Sequence, residues 1–218
     1  MALPFRLESE ETDRLIALSD GVIAIAITLL VLEISVPTVP AGSTTAVVPD
    51  LTAEQWPEFV GYVLSFLVIG LYWTLHRRVF VYVEGHDRSV VWLNLLFLLL
   101  VAFVPYATSV FVAYPTGFGI AFYAGILSLT GFSLALLWGY VSRERLLEAG
   151  LTSRTVEIQA ARFLVSPIVF AGSAILAQYN PLLAVLSWGL LVPLNGAFES
   201  RLVASVEESV TESENQPQ

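Results

Sequence analysis

The sequence has no cysteine, no lysine and only two histidines, His76 and His86. Without cysteine there is no disulfide, no thiolate metal site and no cysteine nucleophile. Two histidines cannot by themselves build a histidine-rich metal centre, so no cofactor is expected. All ten basic residues are arginine. The absence of lysine reads as genome composition bias or a salt-adapted, acidic proteome. The arginines form no stripe able to neutralise a phosphate backbone, which argues against nucleic-acid binding. Charge of either sign is scarce, at 13% of residues against 56% hydrophobic, with a mean hydropathy of +0.75. That is the composition of an integral membrane protein.

The net charge of −9 comes largely from the two ends. Glu8, Glu10, Glu11 and Asp13 precede the first apolar run, and Glu207, Glu208, Glu212 and Glu214 follow the last. Residues 1–13 carry mixed charges and lead into an apolar run too long for a signal-peptide core, so the first run is expected to stay in the mature protein. Six apolar runs are long enough to span: about 15–36, 57–75, 89–111, 118–141, 160–178 and 182–199. The expected organisation is a segment 1–14, a six-helix membrane domain over 15–200, and an acidic, disordered tail over 201–218.

Every arginine falls on one face of this layout. Arg6 and Arg14 precede the first span, Arg77, Arg78 and Arg88 lie between the second and third, Arg143, Arg145, Arg154 and Arg162 flank the fourth-to-fifth connection, and Arg201 follows the sixth. The opposite loops, 37–56, 112–117 and 179–181, contain none. By the positive-inside rule both termini are cytoplasmic. The loop 37–56 is rich in Pro, Gly, Ser and Thr and predicts an extended, irregular segment. Trp56 and Pro57 mark the start of the second span, and Pro105, Pro167 and Pro193 predict kinks or local unwinding in spans three, five and six. Ala121, Gly125, Ser128 and Gly131 in span four predict close helix packing.

The first span is the unusual one. Arg14 to Val36 covers about 34 Å at 1.5 Å per residue, enough to cross a core of roughly 30 Å. Yet it carries Ser19, Asp20, Thr28 and Glu33. Carboxylates inside a spanning helix mark function unless they serve a buried structural bond or sit at the interface. With the topology above, Ser19 and Asp20, the Trp73 to His76 end of span two, and Asn94 in span three lie at a common depth. They can form one hydrogen-bonded network, with Arg14 as charge partner of Asp20, or each can reach separately to interfacial water. Ile25, Leu29 and Leu32, at i, i+4 and i+7, share one face with Thr28 adjoining it. Spacing alone leaves open whether that face packs against a helix or lines a pore. Glu33 either attracts cations at the outer mouth or faces away at the interface.

Span one resembles the signature of the potassium channel family typified by the lysosomal transmembrane protein 175, whose first helix begins Arg-x-x-x-Phe-Ser-Asp. Here the stretch runs from Arg14 through Leu18-Ser19-Asp20 to Ile25 and Thr28. The resemblance extends to Trp73-x-x-His76, to Trp92-Leu-Asn94-Leu and Phe103-x-Pro105, and to the six-span layout. Leu18 replaces the family's Phe, an aromatic expected to pack behind the pore helix. The resemblance implies an all-α prokaryotic plasma-membrane channel, a homotetramer whose first helices line a pore for potassium. Ile25 would form the hydrophobic constriction, Leu29 and Leu32 its continuation, and Thr28 a selectivity layer. Arg14, Ser19, Asp20, Trp73, His76 and Asn94 would support that helix. A ring of isoleucines can gate by dewetting. No TVGYG-like segment is present, so selectivity over sodium should be modest, and no arginine ladder is available for voltage sensing.

Two other classes compete. A proton-coupled carrier would use Asp20 and His76 as a relay, although no inverted repeat or paired broken helices are visible. A serine enzyme built on Gly131-Phe132-Ser133 lacks a base. A membrane protein with only a structural role is the remaining reading.

Overall fold

The computed structural model describes residues 9–39, 45–83, 85, 87–147 and 151–200. The outer parts of both acidic ends, His86 and Arg201 fall outside the described residues.

Among the described residues, six helical segments are long and apolar enough to cross a membrane. The first is α1, Ser9–Leu29, completed by a 3₁₀ turn over Leu30–Glu33. It is followed by a short α2, Val48–Glu54, and then by α3, Trp56–Val81, α4, Arg88–Ala113, α5, Gly117–Arg143, and α6, Ser153–Leu176. The sixth span starts as α7, Pro181–Ser187, passes through a 3₁₀ turn at Trp188–Leu190 and continues as helix over 191–200. All six expected runs are present. On the arginine-bearing side α3 and α6 extend six or more residues beyond them, because hydropathy marks only the hydrocarbon layer while the helices continue into the headgroup level.

Local chemistry fixes the helix starts. Asp87 caps α4 by accepting from the Val90 N–H at 3.0 Å, Thr152 caps α6 through the Thr155 N–H at 3.2 Å, and Asn180 caps α7 through the Leu183 N–H at 3.1 Å. The loop 37–56 is not irregular throughout as expected. Pro49 falls in the first turn of α2, where its missing N–H costs nothing, and Asp50 sits in the same turn beside the positive helix end. Local unwinding at proline occurs in span six, where the 3₁₀ turn contains Gly189, the residue whose carbonyl Pro193 leaves unbonded. The helices α4 and α6 run unbroken through Pro105 and Pro167.

In the bundle α4 lies against α1, α3 and α5, and α5 packs in turn on α6. The close packing expected of span four is present at Ala121, Ser128 and Gly131 and absent at Gly125. Ser128 donates to the Pro167 carbonyl at 2.9 Å, and a Cβ on Gly131 would stand 2.8 Å from Pro167 Cδ; Gly125 faces open space. The core is aromatic, with Tyr72, Phe97, Tyr123, Trp138, Phe163 and Phe170 fully buried. Several of its polar groups are paired across helices, as a bilayer favours, while the buried Gln159 carboxamide and Ser166 hydroxyl on α6 have no hydrogen-bond partner among the described residues. Thr108 donates to the Val104 carbonyl at 2.9 Å, so Ser65 donates to Thr108 at 2.8 Å and accepts from the Tyr123 hydroxyl at 2.9 Å. The Tyr72 hydroxyl donates to the Leu127 carbonyl at 2.6 Å.

Candidate pore-lining helix and its polar support

Span one presents two unlike faces. Leu15, Ser19, Ile23, Ala26 and Leu30 are buried against α3 and α4. Their spacing of three and four residues is that of one helical face. On the other side Ile25 is 60% exposed, Leu29 42% and Leu32 74%, and Thr28 between them is exposed as well. Among the described residues, the stripe singled out in the sequence therefore stands largely exposed on the bundle. Thr28 donates its hydroxyl hydrogen to the Ile25 carbonyl at 2.9 Å, leaving the oxygen lone pairs directed outward. Leu18, seven residues before Ile25 and at the position of the family's Phe, shares that side at 49% exposure. The core-facing role at that level falls to Ser19 and Leu15 instead.

The buried face is fastened by the residues that the common-depth argument brought together. Ser19 Oγ donates to the Leu15 carbonyl at 2.8 Å, which uses its single hydrogen. Asn94 Nδ2 must then donate to Ser19 Oγ, at 2.9 Å, and Asn94 Oδ1 must accept from His76 Nε2–H, at 2.7 Å. The direction of the chain fixes the His76 tautomer. His76 is fully buried, stacked on Phe97 with centroids 5.1 Å apart and 11° between planes, and tilted against Phe80. A second branch joins Trp73 to Asp20, the indole N–H donating to Oδ1 at 2.8 Å. The Arg77 guanidinium lies 5.1 Å from the centre of the Trp73 ring. Arg14 stands outside this arrangement: it is exposed, and Asp20 is held by Trp73. Six residues of helix turn a side chain about 240° round the axis, so Arg14 and Asp20 point different ways.

At the other end of span one Ser109 of α4 donates to Glu33, which turns that carboxylate toward α4. The sequence argument also missed an ion-pair cluster at the arginine-bearing end. Glu199 accepts from Arg78 at 2.8 and 3.1 Å and pairs with Arg162 at 2.5 Å, tying span six to α3 and α6. The signal that was available is an arginine, Arg162, placed inside an apolar run.

Comparison with known proteins gives a consistent result. The family model described as endosomal/lysosomal potassium channel TMEM175 matches residues 14–105. A potassium channel of Streptomyces collinus is 34% identical over 189 residues, covering 83% of this chain and 89% of that one. A potassium channel of Chamaesiphon minutus is 34% identical over 165 residues, covering 73% and 81%. The crystal structure of a lysosomal potassium-selective channel TMEM175 homolog from the same organism superposes with a TM-score of 0.71 at 29% identity, covering 89% of this chain and 99% of that one. The matched region contains span one, Trp73, His76 and Asn94. On its sequence and its fold, the chain belongs to the TMEM175 family of ion channels.

Proposed function

We propose that the protein conducts potassium, modestly in preference to sodium, through a pore lined by span one of four identical chains in a prokaryotic plasma membrane, with both termini cytoplasmic. The observation that carries this reading is the exposed Ile25, Leu29 and Leu32 stripe, set opposite a face held rigidly by Ser19. Four such stripes facing one axis form a dewetted constriction at Ile25, continued by Leu29 and Leu32. The outward lone pairs of Thr28 supply a ring of oxygens within it. Ser19, Asp20, Trp73, His76 and Asn94 act as support and not as ion ligands, and Arg14 adds positive charge outside that network. The relatives' names include potassium channels, which supports potassium as the permeant ion. The conducting unit is the segment 15–200, without cofactor or metal.

The carrier reading requires Asp20 and His76 to exchange a proton. The two groups belong to separate branches, and the Asn94 carboxamide that follows His76 does not relay protons.

The test is ion flux from liposomes containing purified protein. Passive potassium flux should exceed sodium flux and rise in Ile25→Asn. Absence of flux from both proteins, or flux that needs a proton gradient and disappears in Asp20→Asn, would remove the channel reading.

A further inference from the structure

Two grooves follow one another along α3 toward its arginine-bearing end. Leu67, Leu71, Thr74 and Arg78 are spaced i, i+4, i+7 and i+11 and point the same way. The first groove, of about 400 Å³, is apolar and lies between α3 and span six, with Leu67 and Leu71 on one wall and Gly189 and Val192 on the other. The second, of about 320 Å³, begins one turn nearer the arginine-bearing end and is lined by Trp73, Thr74, Arg77, Arg78, Val81 and Tyr82.

The charge there is net positive. Arg78 and Arg162 share a single carboxylate, Glu199, and Arg77 lines the same groove as Arg78 without pairing to it. Arg77 is exposed and rests on the Trp73 ring. A cation–π contact leaves guanidinium N–H groups available for an anion. From Leu64, at the inner end of the apolar groove, to Thr74 the helix rises about 15 Å. That is half of a hydrocarbon core of roughly 30 Å, the depth reached by one acyl chain from its own headgroup level.

We propose that α3 and span six form a binding site for an anionic phospholipid, its phosphate on Arg77 and Arg78 and one acyl chain in the Leu67 to Val192 groove. A free phosphate would use only the basic end, and a zwitterionic lipid would bring its own cation to a site already positive. The groove's length and its single charged end match an acyl chain joined to a phosphate. The site stands whether or not the chain conducts.

Native mass spectrometry of the full chain tests it, with phosphatidylglycerol, phosphatidylcholine of the same acyl chains, and inorganic phosphate as probes. Phosphatidylglycerol should be retained several-fold more than phosphatidylcholine. Arg77→Gln should erase that preference. Gly189→Leu should lower retention of phosphatidylglycerol by filling the apolar groove; no atom lies within 4 Å of a Cβ at that position, so the first carbon of the side chain fits. Arg77 is solvent-exposed, so the Gln variant keeps the question answerable if the Leu variant misfolds. Equal retention of the two lipids, an unchanged preference in Arg77→Gln, or displacement of phosphatidylglycerol by millimolar inorganic phosphate would overturn the proposal.

Discussion

The indole N–H of Trp73 and the carboxylate of Asp20 meet at 2.8 Å, joining α3 to the helix that carries the exposed stripe. This is a hydrogen bond to a charged acceptor, a class contributing about 1.5–3 kcal/mol. Trp73→Phe keeps most of the ring and removes the donor, so it should lower stability in detergent by that amount. Trp92→Phe, at an exposed position, should change it by less than about 0.5 kcal/mol. Thermal unfolding of the two variants side by side measures the difference.

Asn94 is the middle of a directed chain, and replacing it by Leu strands the His76 Nε2–H and leaves Ser19 Oγ without its donor. Each stranded buried group costs about 1–3 kcal/mol. Asn94→Leu combined with His76→Phe removes both ends of one bond, so the pair should cost less than the sum of the single changes. A double-mutant cycle read by chemical unfolding checks this; strict additivity would mean that the two side chains do not interact.

Thr28→Val keeps the shape of the side chain and removes the oxygen that faces outward from span one. If that oxygen favours potassium with the strength of an ordinary hydrogen bond, about 0.5–1.5 kcal/mol, the potassium-to-sodium permeability ratio should fall about two- to tenfold. Reversal potentials under bi-ionic conditions give the ratio directly. An unchanged ratio would place selectivity elsewhere on the helix.

Gly131 and Gly125 lie on the same helix and should respond oppositely to alanine. At Gly131 the new methyl meets Pro167 Cδ at 2.8 Å and Cβ at 3.0 Å, both in a ring that cannot swing aside. Overpacking of this kind costs about 1–3 kcal/mol. At Gly125 the methyl meets nothing within 4 Å, and the helix gains about 0.8–1 kcal/mol from propensity. Melting temperatures should therefore move in opposite directions.

Asp87 links stability to acidity. Burial works to raise its pKa, but hydrogen bonds from the Tyr140 hydroxyl, at 2.6 Å, and from the Val90 N–H outweigh it, and the carboxyl titrates below its ordinary value. A carboxylate whose folded pKa is depressed stabilises the fold above its unfolded pKa of about 3.9 and loses that contribution as pH falls through the folded value. Asp87→Ala should cost about 0.5–2 kcal/mol near neutral pH, the loss of a helix cap. Asp87→Asn should cost less and should flatten the decline below pH 4. Unfolding measured from pH 3 to 7 separates the two variants.

Much of this arrangement is legible in the sequence for definite reasons. Six long apolar runs leave little freedom in an all-helical membrane chain, and one-sided arginine fixes how they alternate. Alternation plus a constant rise places Ser19, His76 and Asn94 at one depth, and their hydrogen bonds follow. Azimuth is harder to read than depth. Arg14 looked like the partner of Asp20 because it carries the opposite charge nearby, whereas six residues of helix separate their directions, and the donor comes from Trp73, which shares that depth but carries no charge to mark it as the partner. Contacts between residues distant in sequence, such as Arg162 with Glu199 or Ser65 with Tyr123, depend on which helices become neighbours, and hydropathy carries no such information. The α2 helix was hidden by its proline, which breaks a helix in the middle and begins one at the first turn.

The 3₁₀ turn that ends span one gives the stripe two mechanically distinct halves. Three residues of α-helix advance about 300° and three of 3₁₀ a full turn, so Leu32 stands directly above Leu29 along the axis. Rewinding Leu30–Glu33 as α-helix would carry Leu32 about 60° round the axis and draw the end of the span in by about 2 Å. Ile25, a full turn below Leu29 and on the part of the helix secured through Ser19, would keep its position. That end of the helix therefore differs in winding from the half fixed by the polar network, and its setting is held by the Ser109 to Glu33 contact with α4.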